Sequence, residues 1–188
     1  AWMREFLRIL GVADHLADKN LPLQYALSHS PGPCVPIGAG FVVRKSLADL
    51  YARDLEKAPE RKRLDRTGEA SISGGGDADL AFTCIDHGFA AAVSSQLGFT
   101  HIIPEWRIDQ QYLERLLYAS NYGVAKLLLL HKWRKKCVSE RQTIFFRIKE
   151  KMLRLMPMKP ANRCWAAFRK GYRDGLSGRP FDRRYRQA

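Results

Sequence analysis

Cysteine is sparse in this chain of 188 residues. Cys34, Cys84, Cys137 and Cys164 lie far apart, with no CxxC pair and no paired histidines nearby. That spacing excludes a zinc ribbon and a disulfide scaffold and fits a reducing compartment. Long apolar runs are missing too: the longest near the middle is Leu127 to Leu130, far below the ~18 to 20 residues of a membrane span. No integral membrane protein is expected, and no signal peptide at the start. HExxH, GxSxG and the P-loop are absent, and no cysteine stands beside a histidine or at a helix start, so hydrolase and kinase chemistry has no support. Acidic residues run short in one region only. Residues 1 to 125 carry 13 basic and 15 acidic side chains, whereas residues 126 to 188 carry 19 and 4. The net charge of +13 is therefore a property of the tail, and it points to an anionic partner.

What is present is globular. A hydrophobic fraction of 46%, 11% aromatic and 27% charged residues suit one folded domain with an appendage. The pattern opens as a helix from Trp2 to Leu16 without an initiator methionine, as expected of a fragment. Three prolines in 28–36 forbid helix, and Val35 to Val43 reads as a buried strand containing Gly38, Ala39 and Gly40. Ser46 and Asp49 form a capping box before a helix with Leu47, Leu50, Tyr51 and Leu55 on its apolar face, ending before Pro59. Residues 56 to 69 are mostly charged and read as a mobile, solvated loop.

After the glycines 74–76 a short helix runs to His87, with Gly88 as its cap. Strands are expected around Ala91 to Ser94 and Phe99 to Ile103. Asp109 caps a long helix, which Gly123 kinks. Ser139 to Met156 is amphipathic, with Ile144, Phe145, Ile148, Met152 and Leu155 opposite arginine and lysine, and a last helix carries Trp165, Phe168 and Tyr172 before a frayed polar end. Helix is expected to exceed strand.

Three constellations could carry chemistry. Gly38-Ala39-Gly40 lacks the third glycine of a dinucleotide fingerprint, because Val43 stands there, so close passage of a strand explains it better. Asp77 and Asp79 follow a flexible glycine run at a helix start. There they serve either as a catalytic or cation-holding pair, or as an N-cap with a dipole partner. His101 sits in an apolar segment, where a lone histidine is ordinarily a hydrogen-bonded core residue.

In order, GAGFVVRK (38–45), SGGGDADL (73–80) and FTHIIPEWRIDQQYLERL (99–116) resemble the C-terminal half of bacterial family 2 glycosyltransferases. The resemblance covers about residues 1 to 120. It implies a partial GT-A domain, Rossmann-like α/β but helix-rich, over residues 1–125; the charge and composition of the rest add a basic helical extension over 126–180 and a disordered tail over 181–188. The family's Gly-Gly-Glu-Asp segment supplies the catalytic base; its Asp falls on Asp77, with Gly76 in place of the Glu.

His101 matches the histidine near the metal, a Mg²⁺ or Mn²⁺ ion. Gly38, Ala39, Gly40, Gly75, Gly76, Asp79 and Arg107 are implied beside the acceptor. Tyr112 matches the pattern as well. The nucleotide-binding half, with its metal-binding DxD, is absent; Asp77 and Asp79 are not that motif. The implied activity is an inverting, metal-assisted transfer from a nucleotide-sugar donor to a glycan or lipid-linked acceptor, by a chain inactive alone. The expected location is cytoplasmic; the basic stripe either docks on the anionic inner face of the membrane or packs on the domain with its basic face in water. The rival class is a non-enzymatic basic module for nucleic acid or anionic membrane; no nucleic-acid-binding signature accompanies the charge.

Overall fold

A computed structural model describes residues 23–26, 40–64, 74–97, 100, 102–131 and 159–185. In chain order these form strand β1 (Leu23–Ala26), helix α1 (Lys45–Lys57), a 3₁₀ turn (Pro59–Leu64), helix α2 (Gly76–Asp86), strand β2 (Ala91–Ser94), a 3₁₀ turn (Glu105–Ile108), helix α3 (Gln110–Leu130), helix α4 (Pro160–Leu176) and a 3₁₀ turn (Arg183–Tyr185). The molecule is helix-rich. The two strands pair antiparallel, with Leu23 opposite Ser94 and Ala26 opposite Ala91. Ala91 and Val93 face the core while their neighbours do not, the alternation of a half-buried strand. No described helix is long and apolar enough to cross a membrane.

Helix α3 is the spine. Asp109 starts it as the sequence predicts, its carboxylate accepting the amides of Gln111 and Tyr112 at 2.9 and 3.2 Å. The apolar stripe then divides its service. Leu127 packs with Phe82, Ile85, Leu64 and Ala91, whereas Leu113, Leu117, Tyr118 and Ala119 pack against α4. Each fully buried leucine contributes roughly 1.5–3 kcal/mol.

Contacts pair in the same order along both helices, so α3 and α4 run parallel: Leu113 and Leu117 meet Cys164, Tyr118 meets Gly171, and Tyr122 meets Gly175. Small residues allow this approach. Cys164, Ala167, Gly171 and Gly175 recur at helical spacing, and a Cβ at Gly175 would lie 2.7 Å from the Tyr122 carbonyl oxygen. At Gly171 it would collide with the Tyr118 carbonyl. Gly123 has the same role toward the glycine segment, since its Cβ would stand 2.5 Å from the Gly74 oxygen. It does not kink α3, which runs unbroken.

Several expectations change. Helix α1 begins at Lys45 with Arg44 as N-cap and no side-chain cap, so Ser46 lies inside the helix and Asp49 bonds Lys45 Nζ at 3.0 Å instead. Thr100, Ile102 and Ile103 are irregular, not a strand; Ile102 is 85% exposed, which leaves the segment no buried face to fix a pairing. Phe41 to Val43 is irregular as well, and the rest of the strand expected at 35–43 lies outside the described residues. So do the Trp2–Leu16 helix and the amphipathic 139–156 stretch.

The end of the chain is packed where fraying was expected, including 181–185 of the tail predicted disordered. Phe181 meets Tyr118 edge-on and Tyr185 stacks on it at 4.1 Å between centroids. Tyr118 Oη donates to Asp174 and accepts the Asp182 amide, both at 3.1 Å. Burial pushes the Tyr118 hydroxyl well above the ordinary tyrosine value. No break falls at residue 125, which lies within α3, and α4 belongs to the core.

Two outcomes follow from this packing. Gly171→Ala should cost roughly 3 kcal/mol, a fall in Tm of about 6–12 °C for a chain of this size; an unchanged melting curve contradicts the close approach. Asp182 lies on Lys170 (2.9 Å) and Arg184 (2.7 Å). The Arg184 hydrogen bond first, then Lys170, holds its carboxyl below the usual range against the opposing effect of burial. A depressed folded pKa gives stability that is present above the unfolded value of ~3.9 and lost as pH falls toward the folded one. Asp182→Asn should therefore lower Tm at pH 7 and flatten the loss below about pH 4; an unchanged acid limb contradicts this.

Candidate functional site

A carboxylate in an apolar helix must collect donors, because unpaired burial of a charge is prohibitive. Asp79 does so completely. Its side chain is fully buried in the first turn of α2. Arg61 Nε donates to both oxygens at 3.1 and 3.0 Å, Tyr51 Oη to Oδ2 at 3.0 Å and His131 Nε2 to Oδ1 at 2.7 Å. Arg61 also donates through Nη2 to Thr83 Oγ1, which in turn donates to the Asp79 carbonyl at 2.8 Å. His131 Nδ1 faces Asp86 Oδ2 at 2.8 Å, so both ring nitrogens meet carboxylate oxygens at the C-terminal end of α3. Four segments of chain are tied at one point: α1, the 59–64 turn, α2 and the end of α3.

Asp77 lies two residues earlier, about 200° around the helix at 100° per residue. It is partly exposed, and its Oδ1 accepts the Ala78 amide at 2.8 Å. The N-cap is Gly75, with no side-chain cap, so neither aspartate is the cap that the sequence left open. Gly75 is buried, with space for a Cβ 3.7 Å from Leu64, and Gly76 is the first helical residue. Both acids stand in the first turn, where the helix dipole favours them.

Of the residues predicted beside an acceptor, Asp79 is excluded from that role, because its oxygens are committed to protein donors and none is exposed. Gly40 is an exposed turn residue with φ 76°, a left-handed backbone that favours glycine. Gly38, Ala39 and His101 lie outside the described residues. Arg107 sits in the 105–108 turn with its guanidinium 4.9 Å over the Trp106 ring, and Trp106 meets Tyr112 edge-on at 5.3 Å. Tyr112 and His131 bracket α3, 19 residues or about 28 Å apart at 1.5 Å per residue. The structure therefore joins Gly75, Gly76, Asp77 and Asp79 in one turn and stations Arg107 toward the opposite end of α3.

Among the described residues no group of three or more His, Cys, Asp or Glu side chains is placed to hold a metal ion. The Asp79 oxygens are occupied by protein donors, so Asp77 and Asp79 do not form a cation-holding pair; His101, which the resemblance puts near the metal, lies outside the described residues.

Sequence reasoning missed Arg61, Tyr51 and His131. Arg61 was hidden in a charged run that reads as solvated, yet its side chain is only 11% exposed. The available signal was Asp79 itself: an acid two residues before the buried Ala81 and Phe82 needs a cation from elsewhere in the chain. Asp79→Asn should cost about 3–5 kcal/mol, because it strands a buried guanidinium and imidazole. Urea denaturation measures this, and a loss below about 1 kcal/mol would place the network in water instead.

Comparisons with known protein families, with curated proteins and with solved structures return no match to this chain.

Proposed function

We propose that this chain is the acceptor-side part of an inverting glycosyltransferase of the GT-A class, with Asp77 as the general base. Two supports carry the reading: the order of the three motifs, and the division of labour within Asp77-Ala78-Asp79. The observation with most weight is the complete commitment of Asp79 to Tyr51, Arg61 and His131. A first turn clamped in this way gives its neighbouring carboxylate a defined position, and a general base needs positioning within hydrogen-bond reach of the proton it removes.

In the proposed step an acceptor hydroxyl gives its proton to an Asp77 carboxylate oxygen while its oxygen forms the new bond to the anomeric carbon. The bond from that carbon to the departing diphosphate breaks on the opposite face, and the diphosphate leaves with the electron pair. His101 is the one metal-side residue assigned by the resemblance, and the donor's nucleotide would be held by the half of the domain that is not in this sequence.

The test uses the enzyme that carries the nucleotide-binding half, assayed against a panel of nucleotide diphosphosugars. Asp77→Asn should lower turnover by ~10² to 10⁴ with donor affinity nearly unchanged. Asp79→Asn should act mainly through stability, and its turnover should recover at low temperature, where the variant is folded. If Asp77→Asn retains full turnover, the catalytic assignment fails. If folded Asp79→Asn loses more turnover than Asp77→Asn, the register of the motif is wrong.

A further inference from the structure

Large apolar side chains left in water are scattered singly on most proteins and need no explanation. Here they gather. Among the described residues seven are exposed, and four of them, Leu97, Ile102, Trp106 and Ile108, fall within twelve residues of chain. Segment 102–108 is the densest part: Ile102 is 85% exposed, Trp106 54% and Ile108 38%, with Pro104 exposed between them. Its second half is the 3₁₀ turn Glu105–Ile108. At ~3.6 Å per extended residue and ~2 Å per residue of such a turn, the Cα atoms of Ile102 and Ile108 lie no more than about 17 Å apart.

Trp106 is held in place although it is exposed. The Arg107 guanidinium lies 4.9 Å over its ring, and Tyr112 of α3, itself buried, meets the ring edge-on at 5.3 Å. An indole anchored on a buried ring, with more than half of its residue in water, is presented outward. Three side chains in one short segment fall well short of the ~800 Å² per partner that a stable protein interface buries. A second copy of this chain therefore does not account for them, whereas a lipid surface does. Tryptophan and arginine suit the bilayer interface, where an amphipathic ring and a long charged stem each keep one end wet. A few inserted apolar groups suffice there when electrostatic attraction adds to them. The charge has the right sign, +13 for the chain. Lys159 is exposed at the start of α4, which is level with the start of α3 because Leu113 and Leu117 meet Cys164.

We propose that segment 102–108 is a membrane-docking turn: Ile102, Trp106 and Ile108 enter the interfacial layer of an anionic phospholipid bilayer, with Arg107 and Lys159 meeting the lipid phosphates. The turn uses residues distinct from the basic stripe at 139–156 and from the turn that bears Asp77, and its role stands whether or not Asp77 is catalytic.

Co-sedimentation of the 188-residue chain with vesicles of phosphatidylcholine alone, and of phosphatidylcholine mixed with phosphatidylglycerol, tests this. The mixed vesicles should bind the chain and the neutral ones much less, with binding weakened by salt. Ile102→Ser should lower the affinity about tenfold or more by removing inserted apolar carbons. At 85% exposure Ile102 supports little packing, so this variant should fold even if Trp106→Ala, which loses the Tyr112 contact, does not. Trp106→Ala should weaken binding similarly, and Trp106→Phe should remove part of the quenching of tryptophan emission by brominated lipid. Glu105 is exposed in the same turn and opposes an anionic surface. Glu105→Gln should therefore tighten binding to the mixed vesicles. Failure to bind mixed vesicles overturns the proposal. So does binding that Ile102→Ser and Trp106→Ala leave intact, which assigns attachment to the basic region 126–188. Self-association abolished by Ile102→Ser, without vesicle binding, gives the turn to a second copy instead and overturns it as well.

Discussion

The buried carboxylate of Asp79 is the constraint on which one half of this molecule depends. A charge with no exposure must be answered by donors in the interior, and no single element supplies enough of them. Tyr51 comes from α1, Arg61 from the turn after it and His131 from the far end of α3, so satisfying one side chain determines how four segments meet. Arg61 extends the tie to Thr83, one turn further along α2, and His131 extends it to Asp86. The start of α2 is thus held from both sides. A glycine segment that would otherwise be pliable ends on a fixed point, and Asp77 inherits its position from that point.

The other half is held by shape. Helices α3 and α4 lie close because Gly171 and Gly175 leave room for the carbonyls of Tyr118 and Tyr122. Around that contact Tyr118 collects Asp174, the Asp182 amide, Phe181 and Tyr185. One helix serves both systems. Its C-terminal end delivers His131 to the charged network, its middle receives Gly74 at Gly123, and its N-terminal end presents Tyr112 to Trp106. The charged network at His131 and the Trp106–Tyr112 contact are therefore held at opposite ends of one helix.

Legibility in the sequence followed the range of the physics. Asp109 as a cap, the helix from the glycines to His87 with Gly88 after it, the short strand at Ala91 to Ser94 and the helix bearing Trp165 and Phe168 all rest on neighbours within a few residues, and each was readable. The features that escaped depend on partners far along the chain. Arg61 looks solvated until Asp79, 18 residues away, is placed beside it. The polar end looks frayed until Tyr118 offers a surface, 64 residues from Asp182. Phe99 to Ile103 has strand composition, yet its described residues gain no partner. The glycine motif marked a helix start bearing both aspartates, while the different burial of the two came only from the packing around them.

Native-state hydrogen exchange on Arg61→Gln tests most directly whether Asp79 sets the position of the Asp77 turn. The amides of Ala78 to Thr83 in the first turns of α2 should lose protection together with those of 61–64 and of the last turn of α3, by a common free energy. If only 61–64 exchanges faster and the start of α2 keeps its protection, Asp79 is one local ion pair among others and does not hold the turn in place.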